Sequence, residues 1–280
     1  MADRKALFGA CGEFTESTES TESTKCTQSA HSSEPSESTR LTDLTDATGL
    51  TGLTGFTAEP LTANCRGLAD LAQHACVGVS PFNSYFKRAR VAELCRWVLP
   101  RFDRVHFHLP DVPSQYTLTA TGIPADKARK RAHENGLKMR NRIRDGLLHT
   151  TGHEDAGPFL LDWEHLRTNE AFQRLYREAQ RWFTADLAFR GMCLSASRSV
   201  LAHRMPAEPT EDQVHEAVRY FLADIPLLID TPQITGAQTS VYVYHRATPF
   251  VEALFEHRLP WSPSPNQGYV VLRPTDGGEG

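Results

Sequence analysis

Ala75-Cys-Val-Gly-Val79 is a short apolar run that stops at Ser80 and turns at once, through Pro81 and Asn83, into an amphipathic segment. A run of that length bounded by turn formers reads as a buried strand over 75–79. The following segment, 86–99, sets Val91, Leu94, Cys95 and Val98 at helical spacing and ends at Pro100. Arg104-Val-His-Phe-His-Leu109 then alternates as a second strand and leaves in a turn at Asp111-Val-Pro-Ser114. Two neighbouring strands joined through a helix must run parallel, with a right-handed crossover. This feature constrains the fold most, because a parallel sheet gathers the carboxyl ends of its strands on one edge, where open α/β sheets bind ligands. Ser80 sits on that edge and is a candidate nucleophile; the plainer reading is a helix-capping serine. Gly78 lets another part of the chain approach the strand.

The remaining pattern continues the alternation. A long helix is expected over 124–148, a strand over 157–162, a helix over 169–203 and another from the capping-box signature Thr210-Glu-Asp-Gln213 to about 224, before Pro226. On that last helix Tyr220 and Asp224 lie four apart and share a face. Strands follow at 239–245 and 268–273, with a short helix at 249–257 between them. In the first, Val241 and Val243 face one way, Tyr242 and Tyr244 the other. Residues 13–57 are different: a Thr-Glu-Ser repeat, then a Leu-Thr-Gly quasi-repeat, with too few large apolar residues to offset the entropy of ordering. The expected organisation is a disordered tail over 1–59, one globular domain over 60–275 and a loose end at 276–280.

Charge is divided along the same boundary. Residues 1–60 hold ten acids and four bases, a net of −6 within a total of −4, so the other 220 residues carry +2. Most of that positive charge is on the 124–148 helix. Ala128, Ala132, Gly136, Met139, Ile143 and Leu147 form its narrow packing stripe. Against three acids the helix carries Lys127, Arg129, Lys130, Arg131, Lys138, Arg140, Arg142 and Arg144. Lys127, Arg131, Lys138 and Arg142 project within about 60° of one another. Such a face fits a phosphate backbone; the alternative is an ordinary solvated surface.

Several chemistries are not signalled. No phosphate-binding G-x-x-x-x-G-K-[ST], no G-x-G-x-x-G and no H-E-x-x-H occurs, and Gly78-Val-Ser80-Pro-Phe82 misses the hydrolase elbow at its last position. The six cysteines are widely spaced, which predicts reduced thiols and no zinc site. With no 18-residue apolar stretch and no signal-peptide pattern, a cytoplasmic location is expected. A serine at a sheet edge, a basic helix and no triphosphate loop point to acyl chemistry on a substrate that arrives activated and attached to a polyanion.

Four segments in order then resemble one family, the cyclodipeptide synthases: Gly78-Val-Ser80-Pro-Phe-Asn83-Ser-Tyr-Phe86, the Arg/Lys-rich helix, Tyr220-Phe-Leu-Ala-Asp224-Ile-Pro226, and Ser240-Val-Tyr-Val-Tyr244-His245 followed by Thr248-Pro249. The resemblance covers about residues 70–275. It implies a Rossmann-like three-layer α/β domain similar to class I aminoacyl-tRNA synthetase catalytic domains, and an enzyme that joins amino acids from two aminoacyl-tRNAs as a diketopiperazine. No cofactor and no metal are implied.

Position by position, the resemblance makes Ser80 the nucleophile that carries the first aminoacyl group as an ester. Gly78 borders that group by leaving room and Asn83 by hydrogen bonding. Tyr220 holds the substrate amino group, Tyr244 relays a proton in later steps, and His245 orients the strand end. Asp224 stands where the family usually has glutamate, with the same charge on a shorter arm. Lys127, Lys130, Arg131, Lys138, Arg140, Arg142 and Arg144 are the expected tRNA contacts. The Ser/Thr-rich tail is similar to eukaryotic, fungal members, some of which favour arginine, so Arg-tRNA is an expected substrate. Two rival classes stay open: a serine hydrolase or acyltransferase, for which His245 lacks an acid partner in sequence, and a non-catalytic tRNA-binding relative.

Overall fold

A computed structural model of the chain describes residues 55–275. The expected disordered tail lies outside the described residues except for its end, where Phe56–Pro60 is strand β1. Phe56 is buried, and β1 pairs antiparallel with the last strand, β6 (Gln267–Pro274), with Phe56 opposite Pro274. A single large aromatic is enough to dock this strand, and the low-complexity composition just before it hides the signal.

The described strands form one sheet in the order β1-β6-β5-β2-β3-β4, with β2 at His74–Gly78, β3 at Arg104–Leu109, β4 at Leu160–Asp162 and β5 at Ser240–Tyr244. All neighbouring pairs except β1 with β6 are parallel. Chain order moves from β2 outward to β3 and β4, then returns to the other side of β2 with β5 and β6. The switch point therefore falls between β2 and β5, where an open α/β sheet leaves a crevice beyond the strand ends.

Alternation along the strands makes three layers. Ala75, Val77, Phe107, Val241, Val243 and Val270 meet α2 (Arg88–Val98) and α4 (Ala125–Thr151) on one face. Cys76, Tyr242, Tyr269 and Val271 meet α6 (Glu170–Ala185), α7 (Leu187–Ala202), α8 (Glu211–Thr235) and α9 (Pro249–Phe255) on the other. The small stripe of α4 is needed for close packing: a Cβ at Gly146 would stand 2.7 Å from Cys95 Sγ. Cys65, Cys76, Cys95 and Cys193 are buried, unpaired thiols.

Several elements differ from expectation, each for a local reason. The single helix expected over 169–203 is two, because Asp186 is extended and caps α7 by accepting from the Phe189 N–H at 2.7 Å. Conversely, α8 does not stop before Pro226 but runs to Thr235, with Pro226 and Pro232 inside it and a break at Asp230. Pro226 inside the helix costs about 3 kcal/mol, whereas Pro232 falls in the first turn after the break, where a proline is tolerated. Burial of Ile225, Leu227, Leu228, Ile229 and Ile234, at about 1.5–3 kcal/mol each, outweighs that cost. At the break the displaced Thr231 N–H donates to Gln267 Oε1 (2.8 Å), and Asp230 accepts from Gln233 N–H (3.2 Å). The turn expected at 111–114 opens a helix, Ser114–Ala120, for which Pro113 is a start signal. Helices at Ala63–Asp70 and Trp163–Thr168 were not anticipated.

Candidate active site

Ser80 follows β2 directly, and Tyr244 ends β5 beside it, so the switch point brings both to one crevice. A cavity of about 160 Å³ opens there, lined among others by Ser80, Asn83, Tyr220, Asp224 and Tyr244. Five of the residues expected from the sequence are thus gathered from three elements far apart in the chain.

The turn that presents Ser80 is held by its own amide side chain. Asn83 N–H donates to Ser80 O (3.2 Å), Asn83 Oδ1 accepts from Tyr85 N–H (2.9 Å), and Asn83 Nδ2 donates to His245 Nε2 (3.1 Å). An amide NH₂ only donates, so His245 is neutral with its proton on Nδ1, in keeping with burial that lowers its pKa to about 4. The imidazole stacks on Phe86 at 5.4 Å between centroids. His245 therefore stands behind Asn83 and outside the cavity. Asn83 also lies beside Tyr244 in the cavity wall.

Gly78 does not border the cavity either. A Cβ there would lie 2.5 Å from Tyr242 Oη and 2.9 Å from the ring carbons next to it. The space that Gly78 leaves is filled by the Tyr242 phenol, so this glycine serves a neighbouring strand and only through it the site.

Ser80, Tyr220 and Asp224 are neighbours in the cavity, with Tyr220 sensing the serine hydroxyl and Asp224 sensing the Tyr220 phenol. A carboxylate only accepts, so between these neighbours Tyr220 O–H is the donor toward Asp224 and its oxygen is left to accept from the Ser80 hydroxyl. That order gives the serine proton a route to a carboxylate. Burial raises the Asp224 pKa well above the usual carboxylate range, and the Tyr220 phenol opposes the rise. Burial, then the nearby Asp224 charge, also raises Tyr220, while Tyr244 is pushed up to about 12 mainly by burial. Both phenols are therefore neutral donors at physiological pH. Among the described residues no histidine is hydrogen-bonded to Ser80, which sets this site apart from a serine–histidine hydrolase.

Residues that the sequence reading missed complete the lining. His108 and Tyr242 form the floor, and Arg204 and Arg246 border both this cavity and a second of about 600 Å³ between α7 and the segment after β5. The alternation of β3 did place His108 opposite Phe107 and Leu109; a histidine on the last turn of a buried strand was the available signal.

The basic helix divides into two groups. Lys127, Lys130, Arg131, Lys138 and Arg144 are exposed. Arg140 instead pairs with Asp162, which is 1% exposed, and Arg142 donates to Phe86 O at 2.8 Å, tying α4 to the loop that carries Ser80. Arg144 also reaches Asp145 at 3.4 Å.

Comparison with known proteins agrees with this architecture. The family model described as cyclodipeptide synthase matches residues 56–274. The cyclo(L-leucyl-L-leucyl) synthase of Bacillus subtilis is 30% identical over 77% of this chain and 88% of its own length. The cyclo(L-tyrosyl-L-tyrosyl) synthase of Mycobacterium tuberculosis is 33% identical over 77% and 75% respectively. A solved Mycobacterium tuberculosis structure, described as relating cyclodipeptide synthetases to type I tRNA synthetases, superposes with a TM-score of 0.71 at 31% identity, covering 80% of this chain and 95% of that one. With its Rossmann-like sheet, synthetase-related fold and switch-point cavity, the chain belongs to the cyclodipeptide synthase family.

Proposed function

We propose that this enzyme joins the aminoacyl groups of two aminoacyl-tRNAs into a cyclic dipeptide by a ping-pong sequence through esters on Ser80. The observation that carries the reading is the gathering of Ser80, Tyr220 and Asp224, each within electrostatic reach of the next, in one cavity. Ser80 Oγ attacks the ester carbonyl of the first aminoacyl-tRNA, its proton passing toward Tyr220 and Asp224. The tRNA oxygen leaves and takes up a proton. The α-ammonium of the bound residue is then held by Tyr220 and Asp224 and loses one proton to Asp224. The freed amine attacks the second aminoacyl-tRNA, whose tRNA hydroxyl departs with the amine's other proton. Finally the new terminal amine closes on the Ser80 ester, Tyr244 relays a proton, and Ser80 regains its hydroxyl. Two esters supply the energy of two amide bonds, so no triphosphate is consumed.

Exposed Lys127, Lys130, Arg131, Lys138 and Arg144 are the proposed tRNA contacts, acting on phosphates with little sequence readout. Arg140 and Arg142 take part by fixing α4 against the sheet and the Ser80 loop. The need for aminoacyl-tRNA favours the cytoplasm as the place of action. In the first cavity the one acidic lining residue among the described residues, Asp224, is engaged with the α-ammonium, so the arginyl substrate expected from the sequence gains no carboxylate partner for its side chain there. The second is bordered by Arg204, Arg246 and His203 and, among the described residues, by no acidic side chain.

Mass spectrometry of medium from bacteria expressing the full chain, beside the Ser80→Ala variant, tests the proposal. A new mass equal to two amino acids less two waters, absent from the variant, is expected and identifies both substrates. No such mass from soluble protein that binds aminoacyl-tRNA would leave a binding role instead.

A further inference from the structure

The floor of the cavity holds an unpaired arrangement that the mechanism above leaves unused. Asp224 Oδ1 is buried and has no hydrogen-bond partner, although a buried carboxylate oxygen is costly to leave unmatched. Facing it at 3.7 Å is Nε2 of His108, a residue only 2% exposed at the end of β3. The other ring nitrogen, Nδ1, is 2.9 Å from Tyr242 Oη, and the Tyr242 ring is seated in the space left by Gly78. Two tautomers are open to the imidazole. If Nδ1 carried the proton, a lone pair on Nε2 would face a lone pair on Oδ1 of the ionised carboxylate. With Tyr242 O–H donating to Nδ1, the Nε2 proton lies on the side of the carboxylate, at electrostatic rather than hydrogen-bond distance.

We infer that His108 is a positioning residue for Asp224: anchored on Tyr242, its Nε2–H holds the free carboxylate oxygen in place for the substrate amino group. The inference rests on the proposed function, since it assigns Asp224 the proton from that group. A carboxylate contacted by Tyr220 on one side and His108 on the other is fixed in rotation, and its basicity is set from two directions. Burial keeps His108 itself neutral, lowering its pKa to about 3, so it donates without becoming charged. The groups facing Asp224 are Tyr220 of its own helix, with Ser80 behind it, His108 from β3, and Tyr242 and Tyr244 from β5. Arg204, at the end of α7, acts on Tyr220 and Tyr244. His108 places its Nε2 3.7 Å from the unsatisfied oxygen.

Removing that donor makes ionised Asp224 less favourable, so the pH at which activity is lost on the acid side must rise. The test is steady-state cyclic dipeptide formation by the full chain against pH, for wild type, His108→Ala, His108→Gln and Tyr242→Phe, with aminoacyl-tRNA as the varied substrate. His108→Ala is expected to lower kcat on the order of 10- to 100-fold, to leave KM within about twofold, and to move the acid limb upward. His108→Gln keeps an N–H donor of similar reach and recovers most of the rate and the limb. Tyr242→Phe, nearly isosteric, frees the tautomer and moves the limb less, in the same direction. An unmoved acid limb in His108→Ala, or in Tyr242→Phe should the alanine variant fail to fold, overturns the inference, as does a His108→Gln variant no better than His108→Ala. Wild type that makes no cyclic dipeptide overturns the proposed function and this inference with it.

Discussion

The two edges of one sheet carry the same kinds of side chain and use them differently. At the amino ends of β2 and β5, His74 Nδ1 lies 2.7 Å from Ser240 Oγ, and His74 Nε2 lies 2.7 Å from His106 Nδ1. At the carboxyl ends of the same strands, Ser80 contacts Tyr220 and Tyr220 contacts Asp224. The first edge has the more hydrolase-like pairing, a serine on a histidine. It is nonetheless closed: His74 and Ser240 are each 1% exposed, and both nitrogens of His74 are matched. The second edge opens to a cavity and leaves a carboxylate oxygen unmatched. A buried polar cluster whose members satisfy one another stabilises a fold; one that lines an open cavity is available to a ligand.

The sharpest way to break this contrast is to remove each serine in turn. Ser80→Ala is expected to lower cyclic dipeptide formation by at least about 10³-fold, as loss of a nucleophile does. Ser240→Ala should leave the rate within about twofold and instead cost about 1–3 kcal/mol, because it orphans a buried His74 nitrogen. Product assays beside urea denaturation decide between the two edges, and a catalytic loss in Ser240→Ala would erase the distinction.

Next in size is Asp224→Asn, which retains shape but loses the charge, one acceptor oxygen and the ability to take up a proton. A loss of about 10²–10⁴-fold in kcat is expected in the product assay. On α4 the contrast is between free and engaged charges. Replacing Lys127, Lys130 and Arg131 by alanine should flatten the salt dependence of tRNA binding by roughly one unit of slope per lost phosphate contact. Arg140→Ala should chiefly destabilise, since it leaves buried Asp162 with only His165 as a side-chain partner.

The smallest effect is one that the two edges share. His74 and His108 are buried neutral, each with a pKa of about 3 against 6.5 when unfolded. The unfolded chain therefore binds more protons between those values, and stability contributed by each neutral ring is lost as pH falls below about 6.5. From pH 7 to 5 that loss is about 2 kcal/mol per histidine. Asp224 and Asp111, with raised pKa values, act in the opposite sense, so the comparison is made within each variant pair. In urea titrations His74→Gln should lose about 2 kcal/mol less than wild type over this range, and its kcat should keep the wild-type pH profile.

Local pattern was enough to read the parallel core and the strand ends that carry Ser80 and Tyr244. It was not enough where tertiary burial overrides a local stop signal, as at Pro226, or where one capping residue divides a helix, as at Asp186. The same division holds in the site. Ser80, Asn83, Tyr220, Asp224 and Tyr244 lie in recognisable segments and converge. Whether Gly78 faces the substrate or a neighbour depends on which ring fills the missing Cβ, and that ring, Tyr242, comes from a strand more than 160 residues away. Arg140 and Arg142 look equivalent to Lys127 in sequence; only Asp162 and the Phe86 carbonyl distinguish them.

If Ser80 carries the first aminoacyl group, the intact mass of the protein after brief incubation with one purified aminoacyl-tRNA shows it. A covalent increase of one aminoacyl residue is expected, mapped to the peptide containing Ser80, lost in Ser80→Ala and discharged as cyclic dipeptide when the second aminoacyl-tRNA is added. Cyclic dipeptide formed at the wild-type rate by Ser80→Ala, or an adduct on another residue, would contradict that role of Ser80.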